Sequence, residues 1–360
     1  MRQNKGGMDM NKWENNIRRV VPYVPGEQPV GDRLIKLNTN ENPYPPAPGV
    51  LRALQEMDYH RFRKYPDPAA SVLVESLAEY HQVGADQVFV GVGSDDVLAM
   101  AFLTFFNSGK PVLFPDVSYS FYKVWAELFG IPYETPALDG DFRICTKDYK
   151  RENGGVIFPN PNAPTGLFMP LDQVRKILDG NEDVIVIVDE AYIDFGGVSA
   201  LELLSEYENL LVVRTFSKSR SMAGIRIGYG VGSPRLIRAL NDVKYSYNSY
   251  TMNMPSLALG VAAVKDQAYF EATTGRIMAT RQQAKVRLRE LGFSFPDSMA
   301  NFIFASHKRV FAEQIFEALK KEQIYVRYFK QPRLENHLRI TIGTDEEMER
   351  LYKFLGEYLG

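Results

Sequence analysis

The chain has 360 residues, 45% of them hydrophobic, and sets 42 Lys and Arg against 44 Asp and Glu for a net charge of -2. That length can bury a substantial core and suggests two domains, or one large domain with a smaller appendage. A balance so near zero offers no electrostatic footprint for nucleic acid or an anionic membrane, and so favours a small-molecule partner. The single cysteine, Cys145, excludes an intramolecular disulfide and a cysteine-based zinc site, and suits a reducing cytosol. The histidines, His60, His81, His307 and His337, lack metal-ligand spacing, so no metal is expected. The longest near-continuous apolar run, VLAMAFLTFF at 97–106, is too short to span a bilayer. The N-terminal MRQNKGGMDMNKWENN lacks the apolar core of a signal peptide, so a cytoplasmic location is expected.

In chain order, the stretch before residue 50 comes first. VPYVPGEQPVGDRLIKLNTNENPYPPAPG is rich in proline and asparagine and reads as an extended arm, 1–40. From about residue 85 short apolar runs alternate with helical spacing. The runs are QVFVGVG, PVLFPD, GGVIFPN, DVIVIVDEAY and NLLVVRTF; the helical segments include 96–106, 118–129 and 170–179. Strands apolar throughout and separated by helices predict a mostly parallel sheet covered on both faces, here assigned to a large domain over 41–253. A long helix over about 254–291 then leads to NFIFAS, a helix near 309–321, the strands IYVRYF and LRITIG, and a final helix. That order predicts a smaller α+β domain over 254–360.

The chemistry gathers where strands should end, which is where ligands bind in such sheets. VIVIVDEAY delivers Asp189 as its apolar run closes, followed by Tyr192. A carboxylate there needs a cationic or donor partner to offset its desolvation; a pyridinium nitrogen is one, a helix cap or salt bridge another. RTFSKSRSMAGIRIGYG delivers Ser217 and Lys218, then Arg226, with Gly224 permitting close backbone approach. A partly desolvated lysine beside another cation becomes a usable amine nucleophile, and Ser217 with Arg226 suits a phosphate. GVGSDDVL opens a helix after a strand, so the first-turn amides at Ser94, Asp95 and Asp96 could grip a phosphate. It is no dinucleotide fingerprint, because Asp stands at 96. Tyr119 could stack on a cofactor, and NPNAPTG at 160–166 fixes a turn after a strand. An amine, a carboxylate and a phosphate cradle are the parts that pyridoxal phosphate requires for carbanion chemistry at an amino acid's α-carbon.

Together and in this order, GVGSDD, NPNAPTG, VDEAY and TFSKSRSMAGIRIGY resemble the fold-type-I aminotransferases that use pyridoxal phosphate, over nearly the whole chain. LNTNENPYPP, YPDP, NFIF, IYVRYF and LRITIGT are similar to its histidinol-phosphate aminotransferase branch. The resemblance implies exchange of an amino group between histidinol phosphate and 2-oxoglutarate in histidine biosynthesis, with imidazole acetol phosphate and glutamate as the other pair. It implies Lys218 as the Schiff-base lysine, Asp189 as the partner of the pyridine nitrogen and Tyr192 as a donor to the ring oxygen. Thr215, Ser217, Arg226 and the Ser94–Asp96 turn would hold the cofactor, with Tyr119 over its ring. Tyr65 would cross a dimer interface to the neighbouring subunit's phosphate, which implies a homodimer with shared sites. Arg339 with Arg327 would bind the substrate's anion, and Tyr23 and Asn40 lie in an arm folded over the substrate.

The sequence departs from the family pattern in three places. Ala163 stands where an asparagine usually bonds the ring oxygen, which makes Asn162 the natural substitute. Asp96 replaces a common glutamate, and KYSYNSYTMN at 244–253 replaces a shorter proline-rich form. An aromatic amino acid aminotransferase and a phosphothreonine decarboxylase remain alternatives on the same scaffold. A DNA-binding regulator would need a basic helix-turn-helix segment, which is not seen here.

Overall fold

The computed structural model describes residues 12–23, 26–31 and 34–360; residues 1–11, 24, 25, 32 and 33 of the expected arm lie outside the described residues. After a short 3-10 turn at Lys12–Asn16, the described residues of the arm form no further regular element before β1 (Ile35–Leu37). Helices α1 (Pro48–Gln55) and α2 (Ser71–His81) follow, then β2 (Val88–Gly91) and α3 (Ser94–Phe105). Next come β3 (Val112–Leu113), α4 (Phe121–Phe129), β4 (Tyr133–Glu134), β5 (Gly155–Pro159) and α5 (Leu171–Leu178). Strands β6 (Val186–Asp189), β7 (Leu210–Thr215) and β8 (Gly228–Gly232) complete the larger sheet, and α6 (Pro234–Tyr247) follows.

That sheet has seven strands in the order β2-β8-β7-β6-β5-β3-β4. Every pairing is parallel except those of β8, which runs against both its neighbours. Residues of β5, β6 and β7 are buried on both faces, as their uninterrupted apolar runs predict. Alternate side chains serve opposite cores. Ile157, Ile187, Leu211 and Val213 pack with residues of α3, α4 and α6, whereas Val156, Val186, Val188 and Val212 pack with α5. The carboxyl ends of β2, β5, β6 and β7 therefore share one edge, and the reversal of β8 brings its entry from Arg226 back to that edge.

The long helix expected over 254–291 is two helices, α7 (Met254–Lys265) and α8 (Gln267–Glu290). Asp266 leaves helical geometry at φ -90 and ψ 63, and its carboxylate accepts the Gly49 N–H at the start of α1 (3.4 Å). Aspartate competes with helix through such side-chain bonds. In consequence α7 packs on α1 and α2 beside the larger sheet, and only α8 reaches the smaller one. The smaller sheet contains β9 (Phe293–Ser294), β10 (Phe302–His307), β11 (Ile324–Tyr328) and β12 (Leu338–Thr341). Its order is β1-β11-β12-β10-β9, so the end of the arm supplies a parallel edge strand. Helices α8, α9 (Ala312–Lys321) and α10 (Asp345–Leu359) contribute to its core. Thr344 and Glu347 form a reciprocal capping box that starts α10.

Candidate active site

A cleft of about 190 Å³ opens at the carboxyl edge of the larger sheet, lined by Ser94, Asp95, Tyr119, Asp189, Tyr192, Thr215, Ser217, Lys218 and Arg226. Asp189 is the last residue of β6 and is buried. The Tyr122 hydroxyl donates to its Oδ2 (2.8 Å) and the Ala191 N–H to its Oδ1 (3.3 Å). Burial pushes the carboxyl up to about 6, although the Tyr122 and Ala191 bonds oppose the rise. Among the described residues, no cation is paired with this carboxylate.

The neighbouring strand end, after β7, carries the basic groups. Lys218 Nζ donates to the Thr39 carbonyl (3.0 Å) and lies 5.9 Å from the centre of the Tyr192 ring. Thr215 Oγ1 accepts the Ser217 N–H (3.1 Å) and donates to Ser217 Oγ (3.0 Å), which fixes the turn before the lysine. Arg226 adopts φ 59 and approaches Asp95 Oδ2 to 3.7 Å, while Tyr119 donates to Asp95 Oδ1 (2.8 Å). Two glycines make room for this arrangement. A Cβ on Gly93, itself at φ +87, would collide with the Arg226 guanidinium, and one on Gly228 would collide with the Ser94 backbone nitrogen. First-turn amides of a helix lack intrahelical acceptors, so the start of α3 faces Arg226 as a preformed anion cradle.

The arm and the smaller sheet close the other side. Asn40, in left-handed geometry at φ 56, donates from Nδ2 to the Tyr192 hydroxyl (2.9 Å). Its backbone N–H donates to Thr341 Oγ1 (3.1 Å), and its carbonyl accepts from Asn301 (3.0 Å). Tyr23 packs on Phe121 with ring centres 4.3 Å apart, next to Tyr119. Arg327 and Arg339 are direct cross-strand partners and both lie over the Phe329 ring, at 5.5 and 5.7 Å. Arg339 donates to the Asn38 carbonyl (3.0 Å), yet its buried Nε has no acceptor among the described residues. Burial lowers the Arg339 pKa, Arg327 adds to that, and Tyr192 opposes it. Like charges set opposite each other on a sheet are destabilising unless an anion joins them.

Two expected residues stand elsewhere. Asn162 spends its amide nitrogen on the Val117 carbonyl (3.0 Å) and on Thr165 Oγ1 (3.2 Å), so Ala163 lines the cleft in its place. Asp96 turns back to accept the Val92 N–H (2.9 Å) and so caps the turn before α3 without lining the cleft. Tyr65, expected to serve a neighbouring subunit's site and not its own, is 79% exposed and stacks on Tyr250 at 4.5 Å. Tyr122, Thr39 and Glu41 belong to the site and escaped the sequence reading. Glu41 lines the cleft and is held by Lys36 (2.6 Å) and Thr39 (2.9 Å).

A buried carboxylate without a cation, an amine across the same cleft, and a cradle that either added Cβ would fill together fit pyridoxal phosphate. The profile of the family "Aminotransferase class I and II" matches residues 32–355, and the chain belongs to that family of pyridoxal-phosphate enzymes. Its similar relatives narrow the class. The histidinol-phosphate aminotransferase of Clostridium acetobutylicum is 50% identical over 336 residues, 93% of this chain and 96% of that one. That of Lactococcus lactis subsp. cremoris is 48% identical over 347 residues, 96% of this chain and 98% of that one. The crystal structure of histidinol-phosphate aminotransferase from Sinorhizobium meliloti in complex with pyridoxal-5'-phosphate superposes with a TM-score of 0.83 at 26% identity, covering 90% of each chain. No described helix is long and apolar enough to cross a membrane.

Proposed function

We propose that the protein is the aminotransferase that moves the amino group of histidinol phosphate to 2-oxoglutarate, as a cytoplasmic homodimer with shared sites. The observation that carries this reading is the convergence of the Lys218 amine and the buried Asp189 carboxylate on one cleft, with paired arginines on the facing sheet.

Pyridoxal phosphate, when bound, supplies an electron sink for charge developing at the substrate's α-carbon. The chain's own residues supply the rest. Lys218 Nζ is the amine to hold the cofactor's aldehyde carbon and, once displaced by substrate, the base to take the α-proton. Asp189 would keep the ring nitrogen protonated, and a cation there would bring its carboxyl back down. Tyr192 already accepts a hydrogen bond from Asn40, which leaves its own hydrogen free for the ring oxygen. Ser217, Arg226 and the amides of Ser94 and Asp95 suit the phosphate, while Thr215 braces Ser217. Arg327 and Arg339 suit the substrate's anion, a phosphate in one half-reaction and a carboxylate in the other. Tyr23 and Asn40 bring the arm against this space.

The dimer is supported by apolar groups that the isolated chain leaves in water. Leu51, Leu54, Tyr59, Phe62, Tyr65 and Tyr247 are all more than half exposed, on α1, on the turn after it and at the end of α6. The test of the substrate is a spectral titration of the cofactor-loaded protein. Histidinol phosphate is expected to bleach the visible band at concentrations where phenylalanine and phosphothreonine leave it unchanged. Bleaching by phenylalanine alone would replace the substrate assignment.

A further inference from the structure

Behind the cleft lies a buried ionic cluster that touches none of the reacting groups yet adjoins each of them in sequence. Arg214, on β7, is 8% exposed. Its Nε donates to Glu190 Oε2 (3.0 Å), and its Nη1 reaches Asp194 Oδ1 (3.5 Å). Glu190 follows Asp189 and also accepts from Ser199 Oγ and the Ala200 N–H, both at 2.6 Å. Asp194 lies two residues beyond Tyr192, and its Oδ2 accepts from Ser219 Oγ (2.5 Å). Ser219 follows Lys218. Two chain segments, one bearing Asp189 and Tyr192 and the other Lys218, are thus tied together through Arg214 and Asp194 on the side away from the cleft.

Burying two charges and half-burying a third for stability alone is a poor use of them, because a well-packed apolar set of similar volume is commonly as stable. What a fixed fork of donors adds is geometric definition. The other groups around the guanidinium support that fixity. Tyr229 is its cross-strand partner on β8, and the Tyr229 hydroxyl meets His81 Nε2 at 2.9 Å. Arg220 is occupied elsewhere, with its guanidinium 4.3 Å from the Phe270 ring centre and bonded to the Ala263 carbonyl (2.6 Å).

We propose that Arg214, Glu190, Asp194 and Ser219 form a positioning network that sets the register of Lys218 against Asp189 and Tyr192; this rests on the aminotransferase reading above. The network carries two carboxylates and one guanidinium, and Arg220 brings a second cation near Tyr229. Small displacements of a reacting group cost rate out of proportion to their size.

The test uses the cofactor-loaded protein with Asp194→Asn and Ser219→Ala. Both are expected to keep a full complement of cofactor and a KM within about twofold of wild type, while kcat per bound cofactor falls about tenfold. Asp194→Asn removes a negative charge near the lysine, so the pH midpoint of the visible band should fall by roughly half a unit. Ser219→Ala should leave that midpoint in place, and Ser219→Thr, which keeps the hydroxyl, should restore most of kcat. If both variants match wild type in kcat and midpoint and differ only in thermal stability, the network is structural and the proposal fails. If wild-type protein forms no visible band with the aldehyde, the aminotransferase reading itself has failed, and the positioning role falls with it.

Discussion

Asp189 is the residue on which the chemistry presses hardest. Without cofactor, its folded carboxyl sits near 6 against an ordinary value of 3.8, because burial disfavours the charge. A raised carboxyl pKa means that the folded state binds the proton more tightly than the unfolded chain does. Its contribution is therefore lost as pH rises from about 4 to about 6, by about 3 kcal/mol in total. Urea unfolding of the cofactor-free protein at pH 4.5 and pH 7 should show part of this slope, and Asp189→Asn should lack that part. An unchanged slope in the variant would mean that this carboxyl is not the strained one. Tyr122 gives the same site its counterweight. Tyr122→Phe deletes the 2.8 Å bond to the carboxylate and should weaken cofactor binding about tenfold, as expected for a hydrogen bond to a charged group. Equal affinity in a cofactor titration would remove Tyr122 from the site.

Elements explain why some of these residues were legible and others were not. Asp189 directly follows the apolar run at 184–188 and Lys218 comes soon after the run at 210–213, and such a run in a parallel sheet delivers its next residues to the ligand-binding edge. That is a local signal. Tyr122 gave none, because nothing in a helix crowded with aromatics marks the one hydroxyl that meets a carboxylate 67 residues away. Asn162 and Ala163 illustrate a finer limit: a turn's sequence fixes that it turns, whereas a distant carbonyl at Val117 decides which of two neighbours faces the cleft. Asp96 was read from its first-turn position, whereas its carboxylate accepts the Val92 N–H four residues back. The break at Asp266 likewise depends on Gly49, far away in sequence. The close contact of β8 with the start of α3 yields a prediction at this scale. Gly228→Ala would push the Ser94 amide out of place, costing about 1–3 kcal/mol as overpacking and a larger share of cofactor affinity. Thermal unfolding without cofactor and a binding titration measure the two separately; an unchanged affinity would show that the Ser94 amide does not hold the phosphate.

At the scale of the whole molecule, the arm joins the two sheets, pairing with β11 while Thr39 and Asn40 touch Lys218 and Tyr192. The general plan, a larger mostly parallel sheet followed by a smaller mixed one, followed from the order of apolar runs. The break of the long helix at Asp266 did not, because helical periodicity continues across it. Shared sites make a further expectation. Lys218→Ala and Tyr65→Ala homodimers should each be impaired, whereas mixing and re-forming dimers should produce one intact site per mixed pair and regain activity. A mixture no more active than its two components would contradict the shared arrangement. The central claim is that the Lys218 amine and the Asp189 carboxylate act on one cofactor. Addition of pyridoxal phosphate to cofactor-free wild-type protein should produce a visible band that survives gel filtration and becomes covalent on borohydride reduction, and Lys218→Ala should show neither. A labelled residue other than Lys218, or a wild-type protein that stays colourless, would contradict the account.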